Sequence, residues 1–502
     1  MSNVSISSAV FGLADYAVGK GLLLPADRTW AINAILQVLR LDSLETSTVA
    51  AALPLEALLD VLLNDASHRG VIPDTVTGRD LLDTAVMGCL TPPPSEIAKS
   101  FAALYARNPI NATDWFYRLC MDCNYIREYR LLKDVKWVYP SKYGMLEITI
   151  NLAKPEKNPL DIAMALRAVK TGYPACQLCR ENEGYAGRLD YPARQNLRIV
   201  PIDILGEPWG LQYSPYVYYN EHCIVLNNIH VPMLIDLSCF FKLFDFLDNF
   251  PHYFIGSNAD LPIVGGSILS HEHFQGGRHT FPIERAEIVE DMPLPKHPNV
   301  KIGYLNWPVS TLRLFGADSE EVARIANDIL ETWREYDDPD AGIMSQTDGT
   351  PHNTVTPIAR RRGAFYELDL VLRNNRTTSE HPLGLFHPHS ELHHIKKENI
   401  GLIEVMGLAI LPPHLKEELQ DLGEAMVSGG DLRRPEISIH AVWAEDILKR
   451  RQVTTENIGE VLQEEVGAVF AKCLEHAGVF GQGKSCEAAF HRFANALIKR
   501  IS

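Results

Sequence analysis

The sequence predicts an α/β (α+β) fold in which two similar lobes of strands lie between helical segments at the two ends of the chain. Strand-like alternation of apolar and polar residues recurs in two blocks in the middle of the chain, each with one long helix, whereas the flanking regions show helical spacing. Because 502 residues exceed one ordinary domain, we expect several parts. They are a helical region 1–135, a first lobe 136–295, a second lobe 296–430 and a helical region 431–502.

The prediction that residues 1–135 are helical rests on the periodicity of their apolar residues. The stretches "DRTWAINAILQVLRLD", "PLEALLDVLLNDAS" and "PSEIAKSFAALYARN" repeat them at the spacing of one helix face. Cys120 and Cys123 lie at the end of this region, and residues three apart on a helix share a face. We therefore interpret these two cysteines as buried small residues and not as ligands.

Each lobe combines alternating strands with one amphipathic helix. In the first lobe, "MLEITIN" alternates, and "IDLSCFFKLFDFLDNFP" has one apolar face and is closed by Pro251. In the second lobe, "DSEEVARIANDILETWREY" begins with Asp318 and Glu321 at capping-box spacing, and "FYELDLVLR" alternates. The same order of elements in both lobes indicates a repeated unit.

The composition limits the classes of partner. A hydrophobic content of 46% suits a globular core, and a net charge of -16 disfavours binding to nucleic acid or anionic membranes. No apolar run approaches the roughly 20 residues of a membrane helix, and the N-terminus lacks the pattern of a secretory signal. Nine scattered cysteines do not suggest a disulfide framework. We expect a cytoplasmic protein without nucleic-acid or membrane partners.

The segment "GGSILSHEHFQGGRH" holds the most unusual pattern in the chain. In a strand, residues two apart share a face, so His271, His273 and Gln275 would point the same way. The flanking glycine pairs let the backbone approach a ligand closely. Three interpretations compete: a metal site, a nucleophilic histidine, or a polar strand end with satisfied histidines.

The nucleophile interpretation rests on the chemistry of imidazole. A neutral imidazole is available near pH 7, because its ordinary pKa is about 6.5. Attack on phosphorus forms an N–P bond that a second acceptor breaks, which splits one difficult transfer into two easier ones. The Gln275 amide could donate to a phosphoryl oxygen, where charge sits in the transition state.

The metal interpretation begins with Cys176 and Cys179, whose Cys-x-x-Cys spacing is a typical zinc half-site. Zinc usually requires two further ligands, and redox chemistry is disfavoured because no strand–CxxC–helix pattern surrounds the pair. Two buried thiols without a role remain a third possibility. The candidate ligands downstream are His222, His230, His271 and His273.

Three motifs together resemble a known family. "CQLC", "NNIHVP" and "HEHFQGG", in that order, resemble the galactose-1-phosphate uridylyltransferase family in its longer bacterial (type 2) form, within the histidine-triad-like superfamily. "HHIKKENIGLIEVMGLAILP" resembles the second-lobe signature of that form. The resemblance implies two histidine-triad-like lobes of mainly antiparallel sheet plus helices. It also implies a homodimer that transfers UMP from UDP-glucose to galactose 1-phosphate in a ping-pong reaction.

The resemblance also implies roles for the motif residues. His273 would become uridylylated and Gln275 would steady the phosphoryl group. Related hydrolases carry a histidine where Gln275 stands, so glutamine there favours transfer over hydrolysis. The family's zinc ion, which we expect to be structural, would bind four side chains: Cys176, Cys179, His230 and His271.

This chain departs from the family pattern inside the motif. Glu272 replaces a proline, Phe274 replaces a glycine, and Ile268 replaces a serine. Ser267 or Ser270 could supply the missing hydroxyl.

The resemblance extends to residues that would bind the substrates. Asn196 and Asn258 match contacts to uridine and ribose, and a lysine and a glutamate of the second lobe would hold the sugar phosphate. Lys397, or its neighbour Lys396, and Glu404 are the nearest matches. The arginines that could hold phosphates are Arg194, Arg198 and Arg278.

A second metal site of the shorter family branch cannot be matched residue by residue. The candidate cluster, which a solvated group of histidines without function would equally explain, is His387, His389, His393 and His394.

Two alternative functions follow from the same residues. One is a related nucleotidyltransferase that acts on another sugar phosphate, and the other is a zinc-stabilised nucleotide-binding protein without turnover. The second alternative predicts that no covalent intermediate forms on His273.

Overall fold

The structure, a computed structural model, describes residues 4–154, 171–266, 268–481 and 484–501. Its α-helices, numbered α1 to α14 in chain order, are Ile6–Gly19, Arg28–Leu39, Leu55–His68, Val76–Gly88, Pro94–Tyr105, Pro109–Asp122, Glu128–Leu131, Leu237–Asn249, Ser319–Arg334, Leu402–Val405, Leu415–Ser428, Ala441–Arg450, Ile458–Ala477 and Lys484–Ile501. Its strands, β1 to β15, are Val135–Ser141, Gly144–Ile150, Val200–Ile204, Glu207–Tyr213, Cys223–Asn227, Phe254–Gly256, His273–Gly277, Ile288–Asp291, Lys301–Leu305, Thr311–Gly316, Gln346–Thr347, Thr350–Pro351, Asn353–Arg362, Phe365–Asn374 and Leu408–Leu411.

One ten-stranded sheet forms the centre of the fold, with the order β3-β4-β5-β7-β6-β13-β14-β10-β9-β8. Every neighbouring pair in it is antiparallel. The first five strands and the last five have equivalent orders, because in each half three strands precede a long helix and two follow it. The halves join where β6 pairs with β13, with Gly256 opposite Ile358. This architecture confirms the predicted α/β class with two similar lobes.

The long helix of each half, α8 or α9, packs on one face of the sheet because its apolar residues form a stripe. Asp236 caps α8 by accepting from the Cys239 amide, and Asp318 caps α9 by accepting from the Glu320 and Glu321 amides. The buried residues of α9 include Val322, Ala323, Ile325, Ala326, Ile329, Leu330 and Trp333. The predicted helices of both lobes are therefore present with their expected apolar faces, and Asp318 caps α9 as predicted, whereas the Glu321 side chain contacts His297.

The N-terminal helices share the hydrophobic core of α8 and α9. The other face of the central sheet meets a second core, which contains a three-stranded sheet, β1-β2-β15, and the helices α11 to α13. In the small sheet β15 pairs in parallel with β2, so a strand from each lobe meets there. The central sheet is therefore covered on both faces, and a substrate site must lie where this cover is interrupted.

Within the described ranges, none of the helices combines the length and the apolar character needed to span a bilayer.

Candidate active site

His273 and Gln275 line a cavity of about 870 Å³ between the central sheet and the segment around α10. Both belong to β7, which lies between β5 and β6 near the middle of the first half. Phe274 points to the opposite face, where its ring stacks on Trp209 with centroids 5.3 Å apart. Strand alternation thus places two polar side chains in the cavity and anchors the residue between them in the core.

The surroundings of His273 define its protonation and tautomer. Its Nδ1 lies 2.8 Å from the carbonyl oxygen of His271, to which it donates, so Nε2 carries the free lone pair. Burial lowers the pKa of His273 to about 4, so the ring is neutral at pH 7. A neutral imidazole with one nitrogen fixed and the other unprotonated is the form that a nucleophile requires.

Among the described residues, the Gln275 side chain has one hydrogen-bond partner. Its Oε1 lies 3.0 Å from Nε2 of His222, a residue that also lines the cavity. The sequence offers His222 only as a possible metal ligand, because a contact between side chains 53 residues apart has no signature in a single sequence.

A cluster of two thiols and two imidazoles lies directly beside β7. Cys176 Sγ is 3.5 Å from Cys179 Sγ and 3.2 Å from Nδ1 of His271, and Cys179 Sγ is 3.0 Å from Nδ1 of His230. The four donor atoms all lie within 4.8 Å of one another. The predicted ligand set is therefore brought together by three separate segments of the chain.

The cluster has the properties of a cation site. Burial and the adjacent Cys176 raise the pKa of Cys179 to about 11, whereas Cys176, although burial opposes it, has a lowered pKa because His271 hydrogen-bonds to its sulfur. A divalent cation would offset the repulsion between two thiolates. His271 Nε2 donates to the carbonyl of Asn227 over 2.7 Å, which leaves Nδ1 as the ligand atom. Two sulfurs and two nitrogens suit tetrahedral metal binding.

The structure does not place His271 on the face that strand alternation predicts. The strand β7 starts at His273, so His271 lies before it and points toward the thiols, while His273 and Gln275 share the cavity face. Glu272, which stands where the family pattern has a proline, is buried, and its carboxylate pairs with the Lys242 ammonium over 2.6 Å. It also accepts from Asn227 over 2.8 Å. The motif is therefore held from both faces.

On the sugar-phosphate side, the structure distinguishes the two neighbouring lysines. Lys396 is buried, lines the cavity, and donates to Glu404 over 3.0 Å. Burial alone would lower the pKa of Lys396, but Glu404 and Glu398 raise it above its usual value, so the ammonium stays charged. Lys397, the first choice from the sequence, is exposed and is not among the described residues that line the cavity.

The nucleotide candidates divide between two cavities. Asn258 lines the main cavity, where its Oδ1 accepts from the Leu402 amide over 2.9 Å. Arg194 lines this cavity and a smaller one of about 340 Å³, whereas Asn196 lines only the smaller one, where it donates to the Cys123 carbonyl. Ser270 is exposed, outside the described lining of both. Ser267 lies outside the described residues.

Two candidate arginines are engaged elsewhere. Arg278 pairs with Glu221 and with Asp114, and its side chain is not part of the described cavity lining. Arg198 donates to backbone carbonyls, including that of Pro92 at 2.7 Å. The geometry gives both arginines structural partners in place of a phosphate.

The four histidines of the doubtful second metal site are not gathered in one place. His387 and His393 both contact the carbonyl of Pro388, and His394 contacts Nδ1 of His440 over 3.1 Å. His389 instead lies near Glu391 and His476, with donor atoms within 4.8 Å of one another. Glu391 and His476 have no motif that the sequence could have revealed.

Several other polar residues that line the cavity are not singled out by the sequence, because no spacing rule distinguishes their side chains from those of their neighbours. They are Asn151, Lys154, Gln177, Gln212, Tyr216, Tyr218 and Asn399.

Two family models match most of the chain. The description "Galactose-1-phosphate uridyl transferase, N-terminal domain" matches residues 40–232, and the corresponding C-terminal domain matches residues 246–445. A curated galactose-1-phosphate uridylyltransferase from Bacillus subtilis (strain 168) is 49% identical, over 98% of each chain. That of Clostridium acetobutylicum is 47% identical, over 98% of this chain and 100% of its own.

Among solved structures, yeast Ap4A phosphorylase Apa2 is similar with a TM-score of 0.32 and 11% identity, over 69% of this chain and 93% of that chain, which adds no argument about function.

The fold and the matching families define the protein as an enzyme of the nucleotidyltransferase class. More narrowly, the chain belongs to the galactose-1-phosphate uridylyltransferase family.

Proposed function

We propose that the protein transfers UMP from UDP-glucose to galactose 1-phosphate through a covalent uridylyl-His273 intermediate. One observation carries this proposal: His273, with Nδ1 bound to the His271 carbonyl and Nε2 unprotonated, lines the same cavity as the Gln275 amide. Family membership supplies the reaction class, and this pair of side chains supplies a nucleophile and a donor for it.

In the first half-reaction, the Nε2 lone pair of His273 attacks the α-phosphorus of UDP-glucose. The N–P bond forms as the bond from phosphorus to the bridging oxygen breaks, and glucose 1-phosphate leaves with the electron pair. In the second half-reaction, a phosphate oxygen of galactose 1-phosphate attacks the same phosphorus and the N–P bond breaks. The Gln275 amide would donate to a non-bridging oxygen in both transition states.

The cavity also supplies charge for the phosphates. We assign Lys396, in place of Lys397, to the phosphate of the hexose, because its ammonium is charged and lines the cavity beside Glu404. Glu404 retains acceptor capacity for sugar hydroxyls. Arg194 and Asn258 line the same cavity and are our candidates for the nucleotide end.

We propose that Cys176, Cys179, His230 and His271 hold zinc, because a donor set of two sulfurs and two nitrogens suits that ion. Bound there, zinc would act structurally, as a crosslink that fixes the loop before β7. Since the His271 carbonyl accepts from His273, the crosslink would also hold the nucleophile's tautomer in place. We further propose a cytoplasmic location, because the eight described cysteines form no disulfide, and a homodimer, from the family resemblance.

Covalent labelling tests the central proposal. Incubation with UDP-glucose labelled at the α-phosphate should give an acid-labile label on the protein, and addition of galactose 1-phosphate should release the label as UDP-galactose. His273→Ala should abolish the label. His297→Ala is the matched control, because His297 pairs with Glu321 away from the cavity and should label like the unaltered protein.

The same assay separates the alternatives. A nucleotide-binding protein without turnover would bind UDP-glucose and remain unlabelled. An enzyme for another sugar phosphate would become labelled, but other hexose 1-phosphates would release the label faster than galactose 1-phosphate. Label that persists in His273→Ala would contradict the assignment of the nucleophile.

A further inference from the structure

We propose that His222 is a positioning residue that orients the Gln275 amide, so that its NH₂ group and not its carbonyl oxygen faces the substrate phosphate. This inference rests on the proposed function, since it concerns how Gln275 acts in the transfer. His222 would touch no reacting atom and would act only through Gln275.

The backbone places His222 beside Gln275. His222 directly precedes β5, which pairs with β7 so that Ile224 lies opposite Gln275. The His222 amide donates to the Tyr219 carbonyl over 3.2 Å, and its carbonyl accepts from the Ser214 amide over 2.8 Å. Both backbone groups are therefore engaged, and the side chain has little freedom to move away from the strand pair.

The imidazole itself is confined. It is only 3% exposed, and its ring contacts Tyr218 and Tyr219, with centroids 5.5 Å and 4.4 Å away. Its Nε2 lies 3.0 Å from Gln275 Oε1. Among the described residues, its buried Nδ1 has no hydrogen-bond partner. The ring is thus held in place by packing and directed at Gln275 by one hydrogen bond.

Two proton arrangements are compatible with this contact, and they are not equivalent. If the proton is on Nε2, His222 donates to the carbonyl oxygen of Gln275 and only a lone pair on Nδ1 stays unpaired. If the amide were reversed, Gln275 would donate to Nε2 and the proton would be on Nδ1, buried without an acceptor. A buried N–H without a partner is rarer in proteins than an under-used acceptor, so the first arrangement is preferred.

This preference determines what Gln275 offers to a ligand. A glutamine amide has two ends of nearly the same shape, and only its hydrogen bonds decide which end faces a given direction. With Oε1 bound to His222, the NH₂ group is left for the cavity, where a phosphoryl oxygen accepts hydrogen bonds. In the opposite orientation a carbonyl oxygen would face the phosphate and repel it. The hydrogen bond from His222 therefore makes Gln275 a donor.

Three variants test the role of His222. His222→Phe keeps an aromatic ring and removes the donor, and His222→Asn is too short to reach Oε1 from the same backbone. Both should lower kcat by about 10- to 100-fold, with KM for UDP-glucose changed by less than about threefold, because the lost interaction strengthens in the transition state. His222→Gln carries an amide donor near the position of Nε2 and should recover most of the loss.

A double-mutant cycle distinguishes positioning from a general structural role. In a Gln275→Ala background, His222→Phe should lower kcat by less than about twofold more, since no amide remains to be oriented. His352→Phe is the matched control, because His352 is a buried histidine bonded to Asn375 and Thr347, outside the described cavity lining. It should reduce thermal stability and leave kcat unchanged.

Each other outcome overturns the inference. The inference is contradicted if the kcat of His222→Phe lies within twofold of that of the unaltered protein. If His222→Phe does not fold, the same criterion applies to His222→Asn. Full additivity with Gln275→Ala, or no recovery in His222→Gln, would show a structural role only. Labelling of the unaltered protein is measured in parallel. Its absence would remove the proposed function together with this inference, whereas normal labelling with an unaffected His222→Phe would remove the inference alone.

Discussion

The two halves of the central sheet have the same strand order, yet only one presents polar side chains to the cavity. On the face away from α8 and α9, β7 of the first half carries His273 and Gln275, and β14 of the second half carries Glu367 and Asp369. The first pair lines the cavity, whereas the second pair does not belong to its described lining. The difference lies in the partners that each pair finds inside the protein.

In the second half, the polar groups satisfy one another. Asp369 accepts from Arg313 over 2.6 Å and also pairs with Arg360, and Arg360 lies 3.3 Å from Glu367. Burial alone would raise the pKa of Asp369, but Arg360 and Arg313 lower it below its usual value. The turn Pro282–Arg285 covers this network, because Arg313 also donates to the Ile283 carbonyl. A buried network whose opposite charges pair with one another in this way supports the fold and leaves no charge free for a ligand.

In the first half, each of the two polar side chains of β7 has a hydrogen-bond partner at one end only. His273 uses Nδ1 and keeps Nε2, and Gln275 uses Oε1 and keeps its NH₂ group. Half-satisfied groups in a cavity can bind a ligand with the capacity that remains. The two halves therefore share a strand order, and the hydrogen-bond partners of the polar side chains decide which half has groups free for a ligand.

The largest effect should follow from removing the proposed nucleophile of the first half. His273→Ala should lower kcat by at least about 10⁴-fold, because no other group in the described cavity has an equivalent lone pair at the same place. Steady-state turnover measures the loss of kcat, and thermal unfolding measures whether the variant keeps its stability. The variant should unfold near the temperature of the unaltered protein, and a large loss of stability would contradict the separation of function from fold.

Breaking the charge network of the second half should lower stability and leave kcat nearly unchanged. Asp369→Asn leaves Arg313 and Arg360 buried beside a neutral partner and should lower the free energy of unfolding by about 3 kcal/mol. Denaturant titration measures this loss, and Arg324→Ala, which removes an exposed pair with Glu320, should cost under about 0.5 kcal/mol. The kcat per folded molecule should remain within about twofold, and a loss comparable to that of His273→Ala would contradict a purely structural role for this network.

Removing the proposed metal ligands should affect the first half alone. The unaltered protein should carry about one zinc per chain, measured by elemental analysis, and Cys176→Ser with Cys179→Ser should lose it. Because the cluster holds the loop before β7, we expect a lower unfolding temperature and a partial loss of kcat. A Cys120→Ser variant, altered at a buried thiol away from the cluster, should keep its zinc. Unchanged metal content in the double variant would remove the ligand assignment.

The smallest effect should be a pH dependence of stability outside both halves. Burial, followed by the neighbouring His440, lowers the pKa of His394 from 6.5 to about 4. The groups that face its ring are His440, which in turn contacts Glu418, and Trp443. Since the unfolded chain binds a proton here before the folded one does, stability should fall as the pH drops from 6.5 toward 4.

His394→Asn should make that decline shallower in denaturant titrations at several pH values. An identical slope in the variant would show that this histidine does not contribute. The unaltered protein at pH 7.5 is the reference, because the ring is neutral there in both the folded and the unfolded state.

Local patterns in the sequence were enough to predict much of the fold and the centre of the site. The periods of apolar residues predicted the α/β class and the capped helix α9, because burial of one face imposes that period on the residues. The spacing of Cys176 and Cys179 and of His273 and Gln275 singled out residues that the structure places in a cluster able to hold a metal ion and at a cavity. Such motifs are readable because neighbouring residues within one segment carry the chemistry.

The choices among similar residues depended on the tertiary structure. Nothing local distinguishes Lys396 from Lys397, but only Lys396 lies against Glu404 in the cavity. Arg278 resembles a phosphate ligand until Glu221, 57 residues away, is seen to bind it.

The class of fold, the family and the motif residues can be predicted from the sequence alone, because they follow from periodicity and from short spacings. The tertiary structure decided which end of each side chain is satisfied and which remains free. His271 turns to the thiols, His273 keeps Nε2, and Gln275 meets His222 from a neighbouring strand. Hydrogen bonds between segments distant in the chain cannot be read from local pattern, since they form only when the sheet brings those segments together.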